Sequence, residues 1–169
     1  MQQTTKELLS VVDLYHKTIQ YELGLFAVVD EDGDVLFKHP ALGSLYVKTF
    51  TDDPEFLMLV CPNFTNRERL GVSAEELFLA LNNINGKTKA AKLFVHESSV
   101  SDGTDNVTVS IECFLADTDQ APDTKLIKAV IRRSFSVMRH SASTLLNYFS
   151  AQLPASEEQL APITTASVH

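Results

Sequence analysis

The stretch VSAEELFLALNNING, Val72 to Gly86, predicts one short helix with both ends marked, set between two groups of strand-like segments. Ser73 and Glu76 have the spacing of a capping box, in which each side chain accepts a hydrogen bond from the other residue's backbone N–H. Gly86 follows the last helical residue, where a glycine commonly ends a helix. A helix with strands before and after it in the chain indicates an α+β fold.

Apolar residues on two sides of this helix predict that it is covered on both. At about 100° per residue, Leu79 falls roughly opposite the main apolar arc, and Phe78 lies at the arc's edge. The second cover is either the neighbouring loop, through Phe64 and Leu70, or a second copy of the chain. A single exposed Leu with no cover is also ordinary in soluble proteins. The main arc is expected to face a sheet and consists of Leu77, Ala80, Leu81 and Ile84.

Segments with strand-like patterns precede the helix and are expected to form a meander of three or four strands. They are LFAVV (25–29), VLFKH (35–39), SLYVKTF (44–50) and EFLMLVC (55–61). The Asp-Gly pair between the first two is a strong hairpin signal, and turn residues separate the others. Because strands joined by tight turns pair antiparallel, these segments predict an antiparallel sheet.

A longer helix is predicted near each end of the domain. Apolar residues at helical spacing run over residues 3–22, with Thr4 or Thr5 as the cap and Gly24 just past the end. A second helix covers about residues 123–150 and has a continuous apolar stripe along one face.

Two more strands are expected between the central and last helices, at 87–97 and 106–116, with a turn at 101–105. After residue 150 the sequence has no periodicity, so residues 151–169 are predicted to be a disordered tail. Residues 1–150 are therefore expected to form a single α+β domain, in the order α-β-β-β-α-β-β-α. Its architecture is one antiparallel sheet of about five strands with helices packed mainly on one face.

The charge balance excludes several classes of partner. Lys and Arg number 14, Asp and Glu number 22, and the net charge is −8. An acidic chain without a Lys/Arg cluster is poorly suited to nucleic acid or to an anionic membrane surface.

The start of the sequence lacks the apolar core of a signal peptide, and no apolar run approaches a membrane-spanning length. We expect a cytoplasmic protein in which Cys61 and Cys113 are buried, reduced core residues.

No motif predicts a catalytic residue, a cofactor or a metal site. The acidic segment 30–34 suggests calcium, but an EF-hand loop with Gly33 at its sixth position needs a Glu where His39 stands. The segment is therefore predicted to be a solvated hairpin turn. The His and Cys residues lack the spacing of metal ligands, and glycine-rich phosphate-binding motifs are absent. Two basic groups, Arg67-Glu68-Arg69 and Arg132-Arg133, are expected to be solvated. A small anion-binding role stays open for them but has no sequence motif behind it.

Short stretches at three places carry a family resemblance. They are GL (24–25) with DEDG (30–33) in the first hairpin, CPNF (61–64) after the strand at 55–61, and LNNIN (81–85) at the end of the middle helix. With this order of elements, the chain resembles the type III secretion chaperone-like fold. Within that fold it resembles the YbjN family, bacterial proteins proposed to be sensory transduction regulators. The resemblance spans about residues 5 to 150.

The resemblance implies a small acidic cytoplasmic protein, commonly a homodimer, that works by binding another protein. It transfers no catalytic residues. We therefore expect a non-enzymatic protein-binding module, a regulator or adaptor whose protein partner is unidentified. The homodimer is expected to form around a two-fold axis through the middle helices, with Phe78 and Leu79 at the protein interface.

Two alternatives remain at this point. The first is a dedicated chaperone that binds an extended segment of a partner protein. Against it, the outer face of the sheet is expected to be polar and to carry Lys48, Thr108, Ser110 and Glu112. The second alternative is an uncharacterised enzyme or small-ligand binder that uses the cleft between the middle helix and the strand at 55–61.

Overall fold

A single antiparallel sheet organises the part of the chain that the structure, a computed structural model, describes: residues 10–118 and 120–150. The strands are β1 (Ala27–Val29), β2 (Val35–His39), β3 (Gly43–Lys48), β4 (Phe56–Asn66), β5 (Ala91–Val95) and β6 (Asn106–Phe114). They lie in the order β1-β2-β3-β4-β6-β5, and every neighbouring pair is antiparallel. The α+β class is confirmed, with one strand more than the approximate number predicted.

The helices of the described residues differ in length and in how well the sequence marks them. They are α1 (Val11–Lys17), which continues as a π-helical turn at Thr18–Glu22, α2 (Arg67–Leu70), α3 (Ala74–Asn85), α4 (Glu97–Ser101) and α5 (Thr124–Ser150). The first helix begins at Val11, where the Ser10 hydroxyl accepts a hydrogen bond from the Asp13 N–H. The predicted caps Thr4 and Thr5 and the predicted tail at 151–169 lie outside the described residues.

The β1–β2 turn is organised by one carboxylate. Asp30 Oδ1 accepts hydrogen bonds from the backbone N–H of Asp32, at 3.0 Å, and of Asp34, at 2.9 Å. Gly33 has φ +88°, which a residue with a Cβ adopts only at a cost. The acidic segment is therefore a hairpin turn, as predicted, and its first carboxylate serves the backbone.

Helix α3 has the predicted capping box. The Ser73 N–H donates to Glu76 Oε2 at 2.7 Å, and the Glu76 N–H donates to the Ser73 hydroxyl at 3.2 Å. Its C-terminal residue Gly86 does not take the left-handed conformation that glycine permits, since its φ is −65°. The chain instead turns at Ala90, a non-glycine residue with φ +67°.

Three segments differ from their prediction. Residues 87–90 form a loop, so that β5 is shorter than the predicted strand at 87–97. Residues 97–101 form α4, where loop and turn were expected. Strand β4 runs on to Asn66 because a register shift between Cys61 and Thr65 absorbs the irregular residues and lets pairing with β6 resume.

The core lies between the helices and one face of the sheet. Helix α5 contributes the predicted stripe, and from α1 and its continuation Tyr15 and Ile19 are completely buried. Because helices cover that face, the other face of the sheet is left toward solvent. Within the described residues, no helix has both the length and the apolar character that crossing a membrane requires.

Helix side chains cover part of both edges of the sheet. His16 Nε2 lies 3.1 Å from the carbonyl oxygen of Ala27, on edge strand β1. At the opposite edge, the Asn85 amide donates to the carbonyl of Leu93 at 2.8 Å and accepts from its N–H at 2.9 Å. Such contacts occupy backbone groups that would otherwise be free to pair with another strand.

Candidate functional site

The predicted interface pair on α3 faces away from the sheet. Leu79 is 57% exposed and Phe78 is 44% exposed, whereas the four residues of the opposite arc are buried. Phe64 and Leu70 come from the segment that was predicted to be a loop; they lie in β4 and α2, and both pack against the core. They leave Leu79 largely uncovered, so the loop is not the second cover that the sequence left open. A second copy of the chain as the cover of Leu79, or a Leu with no cover, stays a prediction.

The exposed side chains next to this pair on α3 are polar, and two of them are acidic. Glu75, Glu76 and Asn82 are exposed on the same helix, one turn or less from Leu79. A surface that covers Phe78 and Leu79 must therefore also accommodate two carboxylates.

A second apolar surface, which the sequence analysis missed, lies on the outer face of the sheet. We call it the outer-face groove; it has a volume of about 460 Å³. The apolar lining residues that are exposed or half-buried are Phe26, Val28, Leu36, Tyr46 and Pro62, and the buried Phe37 and Leu45 line it as well. Strand register places Val28 opposite Leu36 and Leu36 opposite Tyr46, so these side chains form one row across three strands. Phe26, two residues before Val28 and on the same side, is 79% exposed.

The polar groups of the outer-face groove are few. Lys38 and Ser44 lie opposite each other in the register and form its next row. Lys38 has no ion-pair partner among the described residues. Burial, and then the nearby Asp34 carboxylate, raise the pKa of Tyr46 above its ordinary value, so its phenol stays neutral at physiological pH. The groove is therefore an apolar surface with one unpaired positive charge.

The polar half of the outer face lies on β6 and β5. In the strand register, Met58 of β4 lies between Lys48 and Glu112, and Ser110 lies beside Val60. The predicted position on the outer face is therefore correct for Lys48, Ser110 and Glu112, and Thr108 lies two residues before Ser110 on the same side. Thr108 and Ser110 are nonetheless buried among their neighbours, and Glu112 forms an ion pair with Lys92. The expectation of a polar outer face therefore holds for β6 and for Lys48 at the end of β3, and it fails for the part of β1–β3 that forms the outer-face groove.

The groove was missed because its residues come from separate segments. Phe26 and Val28, Leu36, Tyr46 and Pro62 belong to four strands or their flanks, and only the register brings them together. A signal was present in β1 and β2, where apolar residues occupy both alternating positions although one face of the sheet is free of helices.

The two cysteines have different environments. Cys61 is buried as expected. The prediction that Cys113 is also buried is wrong, because it is only half-buried. Strand β5 begins at Ala91, opposite Ile111, so Cys113 lies beyond its end and has a strand neighbour on one side only. Burial raises the pKa of both thiols, which disfavours a reactive thiolate.

The cleft proposed for an enzyme or ligand binder is occupied by the core. Leu57 and Leu59 of β4 and the buried arc of α3 belong to one packed cluster of apolar side chains. In residues 10–118 and 120–150, no group of three or more His, Cys, Asp and Glu side chains is placed to hold a metal ion.

Comparison of the sequence with protein-family models and with curated proteins finds no match. Comparison with solved structures does. YbjN of E. coli, described as a proposed transcription regulator, superposes with a TM-score of 0.58 at 13% identity, covering 83% of this chain and 93% of that chain. An uncharacterized protein from Methanothermobacter thermautotrophicus gives a TM-score of 0.55 at 12% identity, covering 82% of this chain and 99% of that chain.

The chain has a YbjN-like fold. The resemblance noted from the sequence is therefore confirmed at the level of fold. At such low identities the likeness establishes the fold alone, so the function of this protein is argued from its own surfaces.

Proposed function

We propose that this protein is a non-enzymatic protein-binding module that acts as a regulator or adaptor in the bacterial cytoplasm. The observation that carries the proposal is the outer-face groove. It combines an exposed Phe with apolar side chains from three strands, β1, β2 and β3, on a face that no helix of the described residues covers. Contiguous apolar surface of this kind commonly marks an interaction site.

The groove has the composition of an interface centre. Aromatic side chains at Phe26 and Tyr46 flank the aliphatic Val28 and Leu36, and aromatic anchors dominate binding energy at protein interfaces. Burying each large apolar side chain contributes about 1.5–3 kcal/mol before the costs of association. Val28 and Leu36 are already partly buried, so each contributes only part of that range.

The charge of the groove favours one kind of partner. Lys38 lies unpaired at its rim in a chain of net charge −8. A partner segment with apolar side chains and a carboxylate near Lys38 complements both features. YbjN, whose fold this chain shares, is described as a proposed transcription regulator, and a regulator of that kind is consistent with a protein-binding role.

The chaperone alternative gains support from the same surface. A shallow apolar row that crosses three strands suits an extended segment better than a helix, which needs a deeper groove. The sequence had indicated no clear patch for an extended segment on the outer face, and the outer-face groove supplies one.

We also propose that the protein is a homodimer with Phe78 and Leu79 at its two-fold interface. Their exposure on one side of α3 supports this, because a closed two-fold uses the same patch from both subunits. Glu75 and Glu76 beside them limit how closely the two helices approach.

The partner-binding proposal is tested by quantitative affinity capture from bacterial lysate with a matched pair of variants. Val28→Asp/Leu36→Asp places two charges in the groove. Val100→Asp/Leu126→Asp makes the same chemical change at two residues of similar exposure on α4 and α5. Circular dichroism verifies that both variants fold.

We expect at least one protein that is captured by the wild type and by the control variant and is lost with the groove variant. If the groove variant captures the same proteins in the same amounts as the control, the groove is not the partner-binding surface and the proposal fails.

A further inference from the structure

A positively charged cleft lies between α5 and the loop that joins α3 to β5. Its volume is about 440 Å³, and its charged or titratable lining residues are Lys87, Lys89, Arg133 and His140. No Asp or Glu lines it, although the chain has 22 acidic residues against 14 basic ones. The cleft is therefore a local concentration of positive charge in an acidic chain.

Nothing among the described residues neutralises these cations. The ion pairs found there are Arg67–Asp105, Lys92–Glu112 and Lys128–Glu22, and each lies elsewhere. The α3 C-terminus offers a partial negative charge to Lys87 and Lys89, which follow it directly. Arg133 comes from a different helix, α5, and lines the same cleft.

Hydroxyl groups add neutral donors to the cleft. Thr88 and Ser136 line it, and neither hydroxyl has a hydrogen-bond partner within the described part of the chain. The Thr144 hydroxyl donates to the carbonyl of His140, at 2.9 Å, which leaves its oxygen free to accept only. The cleft therefore presents ammonium, guanidinium and hydroxyl donors together.

The loop that carries the lysines is held in place. Asn85 binds both backbone groups of Leu93, and the backbone N–H of Thr88 donates to the carbonyl of Ile84 at 2.8 Å. Ala90 at the end of the loop has φ +67°, a conformation that costs energy for a non-glycine residue. A fixed loop lowers the entropic cost of ligand binding.

The charged cleft continues into an apolar one. A neighbouring cavity of about 300 Å³ shares Arg133 and Val137 with it, and its other lining residues are Ala90, Ile111, Glu112, Cys113, Ala129, Val130 and Ser134. Its one carboxylate, that of Glu112, forms an ion pair with Lys92. A ligand that fills both has an anionic group at one end and a less polar part at the other.

We propose that this cleft binds the phosphate group of a small phosphorylated organic molecule. Arg and Lys donors with hydroxyls are the groups that hold phosphate oxygens, Arg through two parallel N–H bonds. The volumes fall in the range of small-molecule sites. The cleft shares no residue with the outer-face groove, so this inference stands independently of the proposed function.

The test is an NMR titration of the full chain with ADP, and separately with inorganic pyrophosphate, at constant ionic strength. We expect saturable shifts at the amides of Thr88, Lys89 and Ser136 with both ligands. ADP should bind more tightly, since its nucleoside part reaches the apolar cavity. Removal of two cations by Lys89→Gln/Arg133→Gln should weaken binding by at least about tenfold.

The control Lys17→Gln/Arg69→Gln removes one Lys and one Arg from exposed positions elsewhere and changes the net charge equally. It should bind as the wild type does. If neither ADP nor pyrophosphate gives saturable shifts, the proposal fails. It also fails if both variants lose affinity equally, because only the overall charge would then matter. Pyrophosphate binding as tight as that of ADP would overturn the apolar extension of the site.

Discussion

The environment of a residue in this protein is set in some cases by its own segment and in others by a distant segment. Ser73 and Glu76 are fixed by their spacing in one turn of helix, and their reciprocal hydrogen bonds follow from it. Leu79 is exposed because its neighbours on the opposite arc of α3 face the core. Cys113 is half-exposed because of where another strand begins. Only the first two environments are properties of the residue's own segment.

The capping box gives a pH-dependent prediction at this scale. Hydrogen bonds from the Ser73 N–H, and then from its hydroxyl, hold the pKa of Glu76 below its ordinary value of 4.5. A carboxylate whose pKa is lowered in the folded state stabilises the fold above its unfolded pKa. That contribution is lost as the pH falls through the folded pKa. Ser73→Ala should therefore raise the Glu76 pKa and weaken the acid dependence of stability.

Ser73→Ala should also destabilise the protein at neutral pH by about 1 kcal/mol through loss of the N-cap. NMR titration of Glu76 and urea unfolding at two pH values measure both effects. Ser101→Ala, an exposed hydroxyl at the end of α4, is the control. Because the backbone N–H at position 73 is kept in Ser73→Ala, an unchanged Glu76 pKa would contradict the hydrogen bond from the Ser73 hydroxyl to the carboxylate.

At the scale of elements, the sheet is limited by what covers its two edges. An uncovered edge strand pairs readily with other chains. Here His16 contacts β1 and Asn85 contacts β5, and both side chains come from helices that precede the strand they protect. Asn85 also fixes the loop that leads into β5, so one amide joins α3, the loop and the sheet edge.

Asn85→Ala should therefore loosen β5 while leaving α3 intact. The expected result is faster hydrogen exchange at the Leu93 amide and a loss of about 1 kcal/mol in stability, the usual net contribution of a hydrogen bond. Asn82→Ala, at an exposed position on the same helix, is the matched control. Equal exchange rates at Leu93 in the two variants would contradict the role given to Asn85.

At the scale of the whole molecule, α3 and the outer-face groove offer two separate surfaces. Leu79→Glu should convert the proposed homodimer to a monomer, since burying this side chain contributes about 1.5–3 kcal/mol per copy and the substitution brings like charges together near the axis. Leu146→Glu, at a similarly exposed position on α5, should stay dimeric. Light scattering after size exclusion measures this. A monomeric wild type, or a dimeric Leu79→Glu variant, contradicts the interface.

Local signals account for what the sequence predicted of the fold. The Asp-Gly turn, the capping box and the stripe of α5 each lie within one segment, and each is present in the structure. The register shift in β4, the short β5 and helix α4 depend on pairing between distant segments, so periodicity alone did not find them.

The candidate sites follow the same division. The exposure of Leu79 was predictable from helical geometry. The outer-face groove was not, because Leu36 meets Tyr46 and Val28 only through strand register. Likewise Arg133 meets Lys87 and Lys89 only when α5 packs beside the loop after α3.

The central claim, that the outer-face groove holds a protein partner, is tested most directly by photo-crosslinking in living cells. Benzoylphenylalanine replaces Phe26 in the groove or, as the control, Tyr21, an aromatic residue of similar exposure outside it. We expect a discrete crosslinked protein of defined mass at position 26 that is absent at position 21. The same crosslinks at both positions, or none at position 26, would contradict it.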